Sequence, residues 1–208
     1  MTGRAAALKH FKRADSHFYK ATLPHHASLP TELFGRQTRA ELFAALVRTV
    51  VSQQLGGAAA ETIYKRLKAL CKGSITPHAL IGARPAALRA AGLSGSKAKT
   101  LKKTARAVKT GKLDLVSLKN IPEAEAAERL MAIWGLGPWS AEMFLMFSVG
   151  RPDIFSAGDL GLARAIEMLY KLPKNAPREK LLAISQKWSP YRTYACLLLW
   201  RLRDTKAG

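Results

Sequence analysis

The sequence has few cysteines and no long apolar run. Cys71 and Cys196 are the only two cysteines, which is too few for a four-cysteine metal site or iron–sulfur cluster. They are typical of free buried thiols in a reducing compartment. No apolar run reaches the roughly 18 residues of a membrane span, so no membrane partner is predicted. The N-terminus lacks the apolar stretch of a secretory signal, and Asp15 argues against a transit peptide.

Acidic residues are scarce. The chain has 34 lysines and arginines against 14 aspartates and glutamates, a formal net charge of +20. Such an excess predicts a polyanionic partner, the alternative being a surface that only keeps the protein soluble. The basic residues are spread along the chain, which indicates a broad face and not a tail. They lie mainly in Arg4–Lys20, Lys65–Lys72, Arg84–Lys112 and Arg164–Lys187.

No alternating strand pattern of useful length occurs, and the spacing of apolar residues predicts an all-α fold. Thr38 is a predicted cap for the helix that carries Phe43 and Val51, although Thr49-Val-Val within it is β-branched. Further helices are predicted over about 58–70, 94–108, 121–134, 138–147, 159–170, 177–188 and 190–203, with short helices after Thr76 and Arg84 and a turn over 114–118.

Two glycines one residue apart, Gly135 and Gly137, separate two of these predicted helices. Glycine permits a positive φ and the close approach of another backbone. Pro138 favours the start of the following helix, whose first amides attract phosphate. The alternative is an ordinary turn between helices, and the strongly positive charge favours the phosphate-binding interpretation.

Four sequence blocks together carry a family resemblance. From about Leu42 to Arg203, the chain resembles the helix-hairpin-helix DNA glycosylase superfamily, and within it the 3-methyladenine-DNA glycosylase II branch of alkylation repair. The blocks are Val50-Val-Ser-Gln-Gln-Leu, Gly135-Leu-Gly-Pro-Trp-Ser-Ala, Asp153-Ile-Phe-Ser-Ala-Gly-Asp and Trp188-Ser-Pro-Tyr-Arg-Thr-Tyr-Ala, followed by Trp200.

The resemblance implies one glycosylase domain over residues 1–208. It would consist of two helical lobes with an active-site cleft between them. Lobe one is expected over about 37–130. Lobe two is expected over about 131–208, together with an N-terminal extension over 1–36.

Asp159 is the residue to which the resemblance assigns catalysis. By its position alone, Asp159 would be interpreted as a helix N-cap. A carboxylate also suits cleavage of an N-glycosidic bond, because it stabilises positive charge on the sugar and orients or deprotonates the attacking water. Asp153 is interpreted as structural. Trp139 stands where relatives that also cut the DNA backbone carry a lysine, so a monofunctional hydrolase that leaves an abasic site is expected.

The resemblance also implies a pocket for a base that is flipped out of the duplex. Trp139 and Trp200 match the family's pocket tryptophans, and Met143 and Leu160 stand where similar proteins carry aromatic residues. Gln54 or Leu55 is expected to fill the space that the base leaves, as a wedge. The other large aromatics are expected in the core; they are Trp134, Trp188, Tyr191 and Tyr194.

Contacts with DNA are expected at the hairpin, through Gly135, Leu136, Gly137, Trp139 and Ser140. Similar proteins also hold a sodium or potassium ion there when DNA is bound. By matched position its ligands would be the backbone carbonyls of Met131, Ile133 and Leu136. No cofactor is expected for catalysis.

The expected partner is double-stranded DNA with damaged bases, and the expected reaction is excision of N3- or N7-alkylated purines in base excision repair. A monomer is expected, cytoplasmic and nucleoid-associated in a bacterium or nuclear in a eukaryote. The alternatives are a glycosylase for an oxidised or deaminated base, a non-catalytic DNA-damage-binding module, and a structural nucleoid protein. Asp159 argues against the pure binders, because a carboxylate beside phosphates does not help binding.

Overall fold

The computed structural model describes residues 3–33 and 37–206. These residues form helices and no strand, which confirms the predicted all-α fold. The α-helices are α1 (Arg4–Ala14), α2 (Ser16–Thr22), α3 (Arg39–Ser52), α4 (Gly57–Leu70), α5 (Pro77–Gly82), α6 (Pro85–Ala90), α7 (Gly95–Lys109), α8 (Glu123–Met131), α9 (Pro138–Phe144), α10 (Leu160–Leu169), α11 (Arg178–Ser185) and α12 (Arg192–Lys206). Short 3₁₀ helices lie at Leu23–Ser28, Ser117–Lys119 and Gln186–Trp188, and a π-helical turn lies at Leu145–Val149. Within the described ranges, no helix is long and apolar enough to cross a membrane.

The chain divides into two compact units. One unit is Arg36–Val149, and the other combines Met1–Gly35 with Gly150–Gly208. The division therefore falls after Val149, whereas the sequence-based boundary lay near residue 130. The hairpin between α8 and α9 belongs to the Arg36–Val149 unit because Gly135 packs closely on Thr100 of α7.

Local capping signals start the helices where the sequence predicts them. The Thr38 hydroxyl accepts a hydrogen bond from the Glu41 amide at 3.3 Å, and the Glu41 carboxylate accepts one from the Thr38 amide at 2.7 Å. This reciprocal pair satisfies two backbone donors at the start of α3. Ser94 caps α7 by a single hydrogen bond, which its hydroxyl accepts from the Lys97 amide.

Several helices end earlier than predicted. The helix over 121–134 ends at Met131 because the Ile133 amide bonds to Leu130 and the Leu136 amide to Ile133, a tighter pattern than that of an α-helix. The helix over 138–147 ends at Phe144 and continues as the π-helical turn. The helix over 177–188 ends at Ser185, and its last residues are 3₁₀.

A buried carboxylate ties the N-terminal segment to the C-terminal helices in the second unit. Asp15 caps α2 through the Phe18 amide, and its other oxygen accepts from the Tyr170 hydroxyl and from the Trp188 indole at 3.3 Å. The Trp188 ring packs on Phe18 with ring centroids 4.7 Å apart. Burial, assisted by the hydrogen bond to Asp15, raises the pKa of Tyr170.

Candidate functional site

Asp159 is held by two helices of its unit. It is the N-cap of α10, and its Oδ1 accepts from the Leu162 amide at 3.0 Å and from the Trp200 indole of α12 at 3.0 Å. The capping interpretation is therefore confirmed. The structure also places the sequence-predicted Trp200 in direct contact with Asp159, which fixes the orientation of the carboxylate.

The residues that follow Asp159 shape its surroundings. A Cβ atom at Gly161 would overlap the guanidinium of Arg203 and would lie 3.0 Å from Asp159 Oδ1 and 3.1 Å from Trp200 Cδ1. Glycine at this position therefore permits the close packing around the carboxylate. In contrast to the closely packed Gly161, Leu160 has 75% of its surface exposed. An exposed apolar side chain thus directly follows the carboxylate.

Asp153 has a structural role, as the sequence suggested. Its two oxygens accept from the Arg192 guanidinium at 2.8 and 3.1 Å, and one of them also accepts from the Ser189 hydroxyl at 2.8 Å. The Arg192 amide at the start of α12 bonds to it as well. This bidentate pair joins the segment before Asp159 to α12, the helix that carries Trp200.

Trp139 and Met143 line one pocket in the Arg36–Val149 unit. The pocket has a volume of about 350 Å³, and its walls come from α3 on one side and from α9 with the π-helical turn on the other. Met143 is 7% exposed, whereas Trp139 is half-buried. Arg48 of α3 also lines the pocket and is ion-paired with Glu61.

The hairpin turn has a positive φ of 88° at Gly135, a conformation that favours glycine. A Cβ atom there would overlap the Thr100 hydroxyl, whereas nothing lies within 4 Å of a Cβ at Gly137. The side chains of Leu136 and Ser140 are buried, at 4% and 3% exposure.

A glutamine connects the hairpin to the end of α3. Gln53 Nε2 donates to the Gly135 carbonyl at 3.0 Å and to the Ser140 hydroxyl at 2.7 Å. In the sequence, Gln53 is marked only as part of the block Val50-Val-Ser-Gln-Gln-Leu. Its two acceptors lie more than 80 residues away in sequence, so no local pattern pointed to the connection.

A lysine also bonds to the end of α3. Lys97 Nζ of α7 donates to the carbonyls of Val51 at 2.8 Å and Gln53 at 2.6 Å. Burial lowers the pKa of Lys97. Lys97 could not be singled out from the sequence because it is one of many lysines in a basic segment. The next residues, Gln54 and Leu55, are exposed, and Gln54 has a left-handed φ of 55°.

Among the aromatics expected in the core, Trp188 and Tyr194 are fully buried and Tyr191 is half-buried. The prediction for Trp134 was wrong, because this residue is 43% exposed. The ammonium groups of Lys99 and Lys103 lie over its ring, 4.4 and 5.6 Å from the ring centroid. These two lysines lie about 30 residues upstream on α7, which is why the sequence pattern gave no sign of the exposed stack.

The all-α fold and the residues described above agree with one family of proteins. Residues 47–190 match the model of the HhH-GPD superfamily of base excision DNA repair proteins, and the chain belongs to this family.

Among proteins similar to this chain is the putative DNA-3-methyladenine glycosylase YfjP of Bacillus subtilis, 38% identical over 98 residues that cover 47% of this chain and 34% of that protein. The chain thus spans about a third of that relative's length. The crystal structure of a DNA-3-methyladenine glycosidase from Bacillus halodurans has a TM-score of 0.80 and 35% identity, covering 97% of this chain and 90% of that one. A Schizosaccharomyces pombe 3-methyladenine DNA glycosylase in complex with abasic DNA has a TM-score of 0.80 and 31% identity, covering 94% and 95%.

Proposed function

We propose that this chain is a monofunctional DNA glycosylase that removes alkylated purines, such as 3-methyladenine and 7-methylguanine, from duplex DNA in base excision repair. The observation that carries the proposal is the fixed pair of Asp159 and Trp200, 3.0 Å apart, at the position where the family's essential carboxylate is expected. The names of the similar Bacillus halodurans and Schizosaccharomyces pombe proteins support the substrate class.

In the proposed reaction, the N-glycosidic bond breaks and the cationic base takes the electron pair and leaves as a neutral base. Water adds to C1′ of the sugar, its proton passes to the Asp159 carboxylate and on to solvent, and an abasic site results. The Asp159 carboxylate stabilises the positive charge that develops on the sugar and orients the water. Its hydrogen bonds from Leu162 and Trp200 keep it in one orientation without further reorganisation. An alkylated base is already cationic, so it leaves with little help from a general acid.

The indole rings supply selectivity for such a base. An electron-poor ring gains from stacking on an electron-rich indole face, and a cation on such a face adds to the attraction. We assign this stacking to Trp139 and Trp200. Because Trp139 has no amine, it cannot form the Schiff base through which relatives cut the DNA backbone, so we expect hydrolysis without strand cleavage.

The hairpin backbone around Gly135 and Gly137 is proposed to bind a phosphate, and Gln54 or Leu55 to act as the wedge. The exposed, left-handed turn at Gln54 supports the wedge assignment. For the monovalent cation, the proposed ligands are the carbonyls of Met131, Ile133 and Leu136. Such oxygens suit a hard cation, and the Ile133 carbonyl accepts one bond, from the Leu136 amide, which leaves a second lone pair.

A panel of damaged duplexes tests the substrate class. Alkylated, oxidised and deaminated duplexes are incubated with the protein, and the released free bases are identified by mass spectrometry. We expect 3-methyladenine and 7-methylguanine, with an intact DNA backbone until alkali is added. Release of only oxidised or deaminated bases would instead support the second candidate, a glycosylase for another lesion, with Met143 and Leu160 as the positions at which the pocket departs from the aromatics of similar proteins.

A further inference from the structure

The positive charge is concentrated in one segment of the chain. Residues 62–122 contain fourteen lysines and arginines and a single acid, Asp114. Helix α7 alone has six of these cations and no acid. The hairpin and the Asp159 site account for none of this charge, so the segment requires an explanation of its own.

Part of this charge lines a groove between α6 and α7. The groove has a volume of about 310 Å³, and its floor is formed by apolar or small residues such as Pro85, Leu88 and Ala98. Five cations surround it; they are Arg89, Lys99, Lys102, Lys103 and Arg106. No ion pair involves any of the five within residues 3–33 and 37–206. Like charges this close repel one another, and a polyanion in the groove relieves that repulsion.

The groove is continuous with the hairpin. Lys99 and Lys103 belong to the groove and also lie over the ring of Trp134, the residue directly before Gly135. Thr100, between them in sequence, is the residue against which Gly135 packs. A strand of DNA whose phosphate is bound at the hairpin therefore has a basic path available along α7.

The length of the path matches a short stretch of DNA. From Lys99 to Arg106 a helix rises by about 10 Å. Phosphates of one strand follow each other at about 3.4 Å along the duplex axis, so the groove spans about three of them.

We infer that the α6–α7 groove is a second phosphate-contact site, which holds the backbone of the same DNA duplex beside the segment bound at the hairpin. This inference rests on the proposed function for the identity of the partner as damaged duplex DNA. The groove would contribute affinity for every sequence alike, because its cations contact phosphates and no bases.

Salt dependence of binding tests the inference with two matched variants. The groove variant carries Arg89→Gln, Lys103→Gln and Arg106→Gln, and the control carries Arg66→Gln, Lys68→Gln and Lys119→Gln, three exposed cations of the same unit outside the groove. Affinity for an undamaged 24-base-pair duplex is measured by fluorescence anisotropy from low to moderate salt. Circular dichroism melting establishes that both variants are folded.

The slope of log affinity against log salt should become shallower by about 2 to 3 in the groove variant, since each neutralised phosphate contributes about 0.9. Its affinity at low salt should fall by at least about tenfold. The slope of the control should change by less than about 0.5, as expected for charges that contact no phosphate. Equal changes in the two variants would overturn the inference, because affinity would then follow net charge alone.

Trimmed duplexes identify what occupies the groove. A duplex with a central abasic analogue fixes the register, and base pairs are removed from one end or from the other. The difference between wild type and groove variant should disappear on trimming from one end only. If the difference persists whichever end is trimmed, and two duplexes bind per protein, then a separate duplex occupies the groove. That result would overturn the inference.

Excision separates this inference from the proposed function. In single turnover with methylated duplex, the groove variant should need at least about tenfold more protein than the wild type for half-maximal base release, because its substitutions weaken DNA binding and leave Asp159 in place. If the wild type releases no base but the groove still governs the salt slope, the proposed function fails and the groove assignment stands. If excision is normal but the groove variant keeps the wild-type slope, only the groove assignment fails.

Discussion

Asp159 serves as a helix cap and as the proposed catalytic group at the same time. The oxygen that accepts from the Leu162 amide also accepts from the Trp200 indole. Such a residue is difficult to recognise from its position alone, because the cap explains it fully. Only the resemblance of the surrounding block indicated a second role, and the contact with Trp200 is the structural observation that agrees with it.

The two hairpin glycines are predicted to differ in their tolerance of alanine. Gly135→Ala places a Cβ atom at positive φ and against Thr100, so we expect a loss of about 2–3 kcal/mol in the free energy of unfolding and weaker binding to all duplexes. Gly137→Ala has φ −92° and open space, so a change within about 0.5 kcal/mol is expected. Urea denaturation measures both, and equal losses would show that the packing on Thr100 does not constrain the turn.

A buried histidine makes stability depend on pH. Burial, and secondarily the charge of His25, lowers the pKa of His26 below 6.5. The unfolded chain therefore takes up this proton at a higher pH than the folded chain does. The free energy of unfolding should fall as the pH is lowered through 6.5. Below the pKa that His26 has in the folded protein, this histidine should contribute no further fall.

The variant His26→Gln should flatten this part of the stability profile. Urea denaturation between pH 8 and pH 5 measures it, with His78→Gln as the control, an exposed histidine for which no hydrogen bond is found among the described residues. An unchanged slope in His26→Gln would mean that another group titrates in this window.

At the scale of elements, the end of α3 connects the proposed wedge to the hairpin. Lys97 caps two carbonyls of this helix end, and Gln53 bonds to the hairpin. The turn that carries Gln54 and Leu55 is thus fixed to the segment proposed to bind phosphate. Binding of a phosphate at the hairpin would therefore also position the proposed wedge.

Removal of the Lys97 ammonium should be costly. Lys97→Met leaves the carbonyls of Val51 and Gln53 without this donor, and a loss of about 1–3 kcal/mol in the free energy of unfolding is expected. Lys109→Met, at an exposed position on the same helix, should change the free energy by less than about 0.5 kcal/mol. Chemical denaturation of both variants checks this, and similar values would contradict the capping role.

Helix starts were predicted more reliably than helix ends. Thr38, Ser94 and Asp159 each bond to an amide three residues ahead, so the start of the helix is encoded locally. The end of α9 depends instead on how Leu145–Val149 packs, and this segment is largely buried. Such packing involves residues distant in sequence, which no local pattern contains.

At the scale of the whole molecule, most of the excess positive charge and the proposed catalytic residues lie in different parts of the chain. The segment over 62–122 carries most of the excess positive charge, whereas Asp159 and Trp200 belong to the other unit. The sequence predicted a polyanionic partner from the total charge. It did not predict that five of the cations line one groove, because α6 and α7 come together only in the folded unit.

The most direct test of the account is the substitution Asp159→Asn. Asparagine keeps an oxygen that accepts from Leu162 and Trp200, so the cap is preserved and only the charge is removed. Single-turnover release of 3-methyladenine is measured together with affinity for an abasic duplex, with Asp153→Asn as a control for the loss of a structural carboxylate. The account predicts that Asp159→Asn abolishes excision, with affinity within about threefold of wild type. Excision at the wild-type rate by an equally folded Asp159→Asn protein would contradict it.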